Sequence, residues 1–324
     1  MNYEVYMHGQ ILGTHSFLLK NGFLKPDEYS EIKAKYFLPG GETGTAATVL
    51  SSLGVSVKID GTHIGTEVAP LIKDFYKDKA VDLSSLYFDP EYEGLMDYVV
   101  ISGLYRSPMG VFQSLYEPGA KIRWNMPKEE DIIGCKVAAI DPFFIEASQT
   151  AAELCVKHNK KYVTIDSSHD SYIHQHSAIN IISKECTKSE RYRRKSVEEI
   201  YNLFTETTDG LVIITRGKED MIYGRKNEPM RKMHTIPIAV KSTLGAGDTF
   251  KAGCVYGLLK GMSDEDLVRF ASACAAAAVA KFPLPLNPPV IEEVTILFTR
   301  SKAIEFKNAK MLLRRKRLLD LLDN

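Results

Sequence analysis

Short runs dense in apolar and β-branched residues alternate along the chain with longer stretches whose apolar positions recur at helical spacing. The short runs predict strands at Val55–Ile59, Tyr98–Ser102, Val137–Ile140, Tyr162–Asp166, Ile179–Ile182 and Leu211–Thr215. They show little polar alternation, as strands covered on both faces should. The longer stretches predict helices over Thr45–Leu53, Ile145–His158, Val197–Phe204, Thr249–Lys260 and Asp264–Lys281. Gly54 and Gly261 fall where a helix end favours glycine. Strands and helices alternating from end to end imply an α/β fold, a central, mostly parallel sheet flanked by helices. No internal repeat or low-complexity linker divides residues 1–324, which read as one domain. Two stretches break the rhythm: residues 11–38 and 83–124 are mixed, aromatic-rich and poor in helical periodicity.

Composition narrows the class. At 324 residues the chain can bury a large core, and Lys+Arg and Asp+Glu both number 41. With no net charge, no global field draws it to nucleic acid or to an anionic membrane. No run approaches the roughly 18 consecutive apolar residues of a membrane span. Met1 to Gln10 shows no basic segment leading into an apolar core, so no secretory signal is expected. The five cysteines are odd in number and lack C-x-x-C spacing, which suits reduced thiols in a cytoplasmic protein. The tail Lys310–Leu319 reads as a basic amphipathic helix. Such a cluster can mark a nucleic-acid or membrane contact, but Asp320 and Asp323 beside it favour a solvated end.

The richest stretch chemically is Lys241-Ser242-Thr243-Leu244-Gly245-Ala246-Gly247-Asp248-Thr249-Phe250-Lys251-Ala252-Gly253. Small residues at a helix mouth let backbone N–H groups converge on one point, where the helix end adds partial positive charge. Such a place holds an anion, most often phosphate. Asp248 follows at once, placed to take a proton from a hydroxyl while a phosphoryl group moves. Alone, the pattern also describes a plain turn with an acidic first helical residue. Its setting points to the anion site: Ile236–Val240 reads as a strand end and Thr249–Lys260 as a helix.

Ser242–Gly253 resembles the C-terminal signature of the ribokinase-like (PfkB-type) carbohydrate kinases, D-[ST]-x-G-A-G-D-x-F-x-[AS]-G, with Ser242 in place of the first Asp. Gly40-Gly41-Glu42-Thr43-Gly44-Thr45-Ala46-Ala47 through Leu53-Gly54 is similar to that family's sugar-binding segment, with Thr45 where Asn is usual. The resemblance implies a ribokinase-like fold in which the excursions 11–38 and 83–124 form a small β-sheet lid, and it leaves open a homodimer formed through that lid. It implies ATP and Mg²⁺ as cofactors. In that scheme Asp248 is the base, and the N–H groups of Gly245, Ala246 and Gly247 stabilise the transferring phosphoryl group. Gly40, Gly41 and Thr45 face the sugar. Thr215, Gly217 and Thr243, with Gly245 and Gly247, face the nucleotide, although Asp220 stands where a second glycine is common. Where relatives carry N-x-x-E near the metal, this chain has Ser183 and Cys186, leaving Glu185 as the candidate metal carboxylate.

Other features carry less. His169, His174 and His176 lack a zinc spacing and read as an ordinary polar loop, and Ala271–Ala280 as a tightly packed helix. No Walker-type G-x-x-x-x-G-K-[ST], opening nucleotide fingerprint or G-x-S-x-G elbow is present. The expectation is therefore an ATP-dependent phosphotransferase acting on a hydroxyl of a small sugar or polyol. After Gly9 the sequence reads Gln10-Ile11-Leu12-Gly13-Thr14, without the carboxylate that sugar kinases of the family place there. That departure keeps a nucleoside, a modified sugar or a sugar acid open as acceptor. It also keeps open a ligand-binding regulator with the kinase fold and little turnover.

Overall fold

The apolar runs pair edge to edge. A computed structural model describes residues 3–23 and 25–304; the basic tail lies outside the described residues. In chain order the strands are β1 (Val5–Gly9), β2 (Leu12–Leu19), β3 (Ile32–Gly40), β4 (Val57–Gly61), β5 (Ile64–Gly65), β6 (Val81–Asp82), β7 (Phe88–Asp89) and β8 (Met96–Ser102). They continue with β9 (Tyr105–Gly110), β10 (Val137–Ile140), β11 (Lys161–Ile165), β12 (Ile179–Ile182), β13 (Leu211–Ile214), β14 (Met221–Gly224) and β15 (Arg231–Met233). The helices are α1 (Glu42–Ser52), α2 (Ala69–Tyr76), α3 (Glu129–Gly134), α4 (Ile145–Lys157), α5 (Tyr172–Gln175), α6 (Lys184–Thr187), α7 (Val197–Thr205), α8 (Ala246–Leu259) and α9 (Asp264–Val279). A tenth helix, α10, covers 291–304.

Nine strands form one sheet in the order β15-β14-β13-β12-β11-β10-β1-β4-β6. Pairing is parallel from β13 across to β6, and β14 and β15 run antiparallel at one edge. Strands β10, β12 and β13 are buried at every position, which is why their sequences carry no polar alternation. Helices α1, α8 and α9 pack in the largest apolar cluster on one face of the sheet, and Ala151, Ala152 and Cys155 of α4 join Tyr6 and Ile140 in a second cluster. All five cysteines are free.

A second sheet, ordered β3-β2-β8-β9, stands apart from the first and forms the lid. Its strands fall within the excursions 11–38 and 83–124 apart from the end of β3, as the resemblance implied. The Tyr98–Ser102 strand, whose apolar pattern alone groups it with the central strands, thus belongs to the lid, paired in parallel with β2. One of its faces is open, so Val99 and Ile101 are buried while Tyr98 is 40% exposed. Residues 236–240 form no strand: the chain leaves the sheet edge after Met233. Pro237 has no N–H to offer a ladder there.

The three histidines are not one polar loop. His174 is fully buried: Nε2 lies 3.0 Å from the Phe204 carbonyl, and Nδ1 accepts from Asn180 Nδ2 at 2.8 Å. His169 meets the Tyr192 hydroxyl and His176 stacks on Tyr172. Burial depresses the His174 pKa to about 4. An unfolded histidine titrates near 6.5, so unfolding takes up a proton below that pH. His174 therefore stabilises the fold fully above about pH 6.5, and the contribution is lost as pH falls toward about 4. Denaturant melts should show wild-type stability dropping by up to roughly 3 kcal/mol more than that of His174→Gln between pH 7 and pH 4. Parallel losses in the two proteins would show that this imidazole does not govern the acid response.

Candidate active site

In the central sheet β1 lies between β10 and β4, so the chain winds outward from it in both directions. Loops at the carboxyl ends of β1 and β10 diverge there and leave a crevice, the usual ligand site of open parallel sheets. Two helix N-termini point into it. Gly41 precedes α1 with φ of 79°, and a Cβ there would lie 2.4 Å from the Gln10 carbonyl oxygen. That close approach lets the Gln10 carbonyl accept from the amides of Thr43 (3.0 Å) and Gly44 (3.3 Å). Gly245 precedes α8 in the left-handed region, φ 77°, and no side chain caps that helix. The Ala246 amide reaches the Thr243 carbonyl at 3.3 Å, whereas those of Gly245, Gly247 and Asp248 make no hydrogen bond among the described residues.

Between these ends lies a cavity of about 220 Å³. Gly40, Gly41, Glu42 and Thr45 line one side and Gly245 and Asp248 another. The lid supplies Thr14, Ser16, Asp97, Val99 and Arg106. The sugar-side residues and the Gly245–Asp248 segment, far apart in sequence, thus share one space. Of the expected nucleotide residues Gly245 lines it, whereas Thr215, Gly217, Thr243 and Gly247 do not. Thr215 directly follows β13 with its amide on the Ile182 carbonyl (2.9 Å), and Gly217 sits in the exposed turn beyond. Glu185 is exposed on α6, and no group of three or more His, Cys, Asp or Glu able to hold a metal occurs among the described residues. Ser183 instead caps α6 and donates its hydroxyl to Asp166 at 2.7 Å.

Charge is concentrated beside the cavity. Lys251, one turn after Asp248 and fully buried, donates to Asp141 Oδ1, and Glu42 Oε2 lies 4.0 Å from its Nζ. The second Asp141 oxygen accepts from Thr43 Oγ1 (2.8 Å) and the Gln10 amide (3.2 Å). Burial raises the Asp248 pKa to about 6, aided by the Asp141 charge and opposed by Lys251, by Arg106 and by a hydrogen bond to Thr45. Burial and the charge of Asp141 push the Glu42 carboxyl well above its usual range. For Lys251, burial works against the ammonium, but Asp141 and Glu42 outweigh it and hold its pKa above the ordinary value. Arg106, exposed on β9, makes no hydrogen bond or ion pair among the described residues.

Several of these groups were missed in the sequence. Asp141 and Lys251 are 110 residues apart, and no local pattern links them. A signal did exist: Asp141 directly follows an apolar strand, the position where parallel sheets present polar groups to ligands. Asp97 answers the missing early carboxylate. It lies on β8 in register with Thr14 of β2 and lines the same cavity.

Residues 151–284 match the pfkB family carbohydrate kinase. The chain is 23% identical over 302 residues to a 5-dehydro-2-deoxygluconokinase of Clostridium beijerinckii, covering 83% of this chain and 86% of that protein. The chain is thus similar to the pfkB carbohydrate kinases over residues 151–284 and to a named sugar-acid kinase over most of its length. Solved structures share its fold. A protein described as a ribokinase, from Agrobacterium tumefaciens, superposes with a TM-score of 0.80 at 15% identity, over 93% of this chain and 98% of its own. One described as ribokinase II, from E. coli, in complex with ATP and Mg²⁺, gives 0.73 at 18% identity, over 92% and 99%.

The two signature glycines have different physical tasks. Gly245 needs its backbone conformation, and a Cβ there would press Leu284 at 3.1 Å and Thr45 at 3.3 Å. Gly247 faces open space, with nothing within 4 Å of a Cβ. Gly245→Val should therefore lose about 1–3 kcal/mol of stability, from the strain of a β-branched residue in the left-handed region. Gly247→Val should melt like wild type but turn over at least about 10²-fold more slowly, the scale for losing a transition-state donor site. Thermal melts beside ATP-turnover rates separate the two; equal melting losses in both variants would contradict the assignment.

Proposed function

We propose that this chain transfers the γ-phosphoryl group of ATP to a hydroxyl of a small sugar or polyol held in the cavity beneath the lid. One observation carries the reading: Asp248 borders a cavity at the uncapped N-terminus of α8, with free amides beside it. The carboxylate of Asp248 accepts the proton of the attacking hydroxyl. A pKa raised to about 6 suits a base working near neutrality. The amides of Gly245, Gly247 and Asp248 hold the transferring phosphoryl group, with Ala246 contributing once its long bond to Thr243 yields. Such transition states are loose, so positioning and electrostatics supply most of the rate. Gly40, Gly41 and Thr45 take the acceptor side, and Asp97 offers a further hydroxyl partner from the lid. Thr215, Gly217 and Thr243 lie along the nucleotide side.

Mg²⁺ neutralises phosphate charge when it accompanies ATP. The residues fit an ion held chiefly by phosphate oxygens and water, with Glu185 the nearest counterpart to the family's metal carboxylate. The acceptor is compact, since about 220 Å³ is below the roughly 300–1,000 Å³ of clefts for drug-sized ligands. That argues for a sugar over a nucleoside. Arg106, at the cavity wall with no hydrogen bond or ion pair among the described residues, favours an acceptor bearing a carboxylate. The relative in C. beijerinckii, by its name, acts on such a sugar acid. The open lid face, with Tyr98, Leu104, Tyr105 and Met109 exposed, suits a homodimer through the lid. No helix among the described residues is long and apolar enough to cross a membrane; the proposed use of ATP supports a cytoplasmic location.

ATP consumption measured across sugars, sugar acids, polyols and nucleosides tests the reading. Turnover should appear with a small sugar or sugar acid and should fall as pH drops through about 6, where Asp248 gains its proton. Asp248→Asn should lose about 10²–10⁴ in rate while still binding ATP. Near-normal turnover in that variant would exclude Asp248 as base, and no turnover of the wild type with any member of the panel would favour a ligand-binding regulator.

A further inference from the structure

Lys251 lies within the signature at a variable position, yet it is among the most buried charges in the molecule. Its side chain is 0% exposed, as is that of its partner Asp141. A buried ion pair is weak evidence for stability, because desolvation offsets most of the attraction. Such a pair asks for another reason to exist.

Its surroundings supply one. The ammonium sits one helical turn below Asp248, and carboxylates surround it from separate elements: Asp248 on its own helix α8, Glu42 in the first turn of α1, and Asp141 after β10. Asp141 is tied in turn to Thr43 of α1, to the Gln10 amide after β1 and, through its own amide, to the His8 carbonyl at 2.9 Å. Beyond these, Arg106 of the lid acts on Asp248, and Asp166 after β11 acts on Glu42. Glu42 Oε2 is buried without a hydrogen-bond partner among the described residues and lies 4.0 Å from the ammonium. One cation thus serves three acids that would otherwise repel one another.

We propose that Lys251 is a positioning residue: with Asp141 it docks the first turn of α8 against α1 and β1, and its charge keeps Asp248 ionised beside the cavity. The inference rests on Asp248 acting as the base. Without Lys251, burial and the neighbouring carboxylates would keep Asp248 protonated at neutral pH, and an acceptor hydroxyl would find no base. An opposite charge at this range lowers a carboxyl pKa by about 1–3 units. Lys251 acts on Asp248 more strongly than Asp141 does, so the pair as a whole favours the ionised form.

The test reads Asp248 directly and needs no acceptor, so its outcome is separate from whether the kinase reading holds. Protein labelled with carbon-13 at aspartate carboxyls is titrated by NMR, and Asp248 is assigned by the signal lost in Asp248→Asn. The wild-type midpoint should lie near 6. Lys251→Met should raise it by about one pH unit or more. Lys251→Met/Asp141→Asn removes both charges of the closest pair, so Asp141 is not left as a buried unpaired carboxylate, and its midpoint should rise by less. Glu42→Gln/Asp141→Asn leaves the ammonium to Asp248 alone and should lower the midpoint. Lys251→Arg, which keeps the charge, should stay nearer to wild type than Lys251→Met. A space-filling role for Lys251 would move none of these midpoints. An unmoved or lowered midpoint in both Lys251→Met proteins, or a rise in Glu42→Gln/Asp141→Asn, overturns the proposal.

Discussion

The pairing of β1 between β10 and β4 governs where chemistry can occur in this chain. Parallel strands bring their carboxyl ends to one edge, and a reversal of strand order parts the loops there. Gln10 after β1, Asp141 after β10 and the start of α1 after β3 meet at this edge. Helix α8 packs against α1 on the same face, so its uncapped end opens onto the same space. The lid closes the side that the central sheet leaves open, bringing Asp97 and Arg106 over the cavity.

Electrostatics then divides the labour within that space. The backbone amides of the α8 N-terminus supply fixed partial positive charge without a mobile side chain, so they need not reorganise as charge develops. The carboxylates supply proton affinity, and burial sets how much. Asp248 sits near its working range because desolvation, which raises its pKa, is opposed by Lys251, Arg106 and Thr45. Burial and the Asp141 charge also push the Glu42 carboxyl well above its usual range.

How much of this the sequence disclosed follows from the range of each interaction. The glycine turns ahead of α1 and α8 were legible because special backbone geometry restricts residue choice locally, and Gly41 and Gly245 both have positive φ. The buried strands were legible because cover on two faces forces continuous apolar runs. Sheet membership was not legible in the apolar pattern, in which β8 resembles a central strand; its place within the 83–124 excursion implied the lid, and pairing with β2 bears that out. The ion pair of Asp141 with Lys251 was likewise invisible, since it joins residues 110 apart. The missing carboxylate after Gly9 looked like a lost contact. Parallel pairing of β2 with β8 returns one, Asp97, from a different strand. The histidine cluster misled in the opposite sense, because proximity in sequence hid three separate environments, one of them buried.

The central claim is that the mouth of α8 receives the transferring phosphoryl group while Asp248 faces the acceptor. The most direct measurement is a crystal structure of the chain with a non-hydrolysable ATP analogue. The account predicts terminal-phosphate oxygens accepting from the amides at Gly245 to Asp248, with the Asp248 carboxylate turned toward the cavity beneath the lid. A terminal phosphate seated elsewhere, such as the acidic groove beside Glu146, Asp166 and Asp170, with the α8 mouth left to solvent, would contradict it.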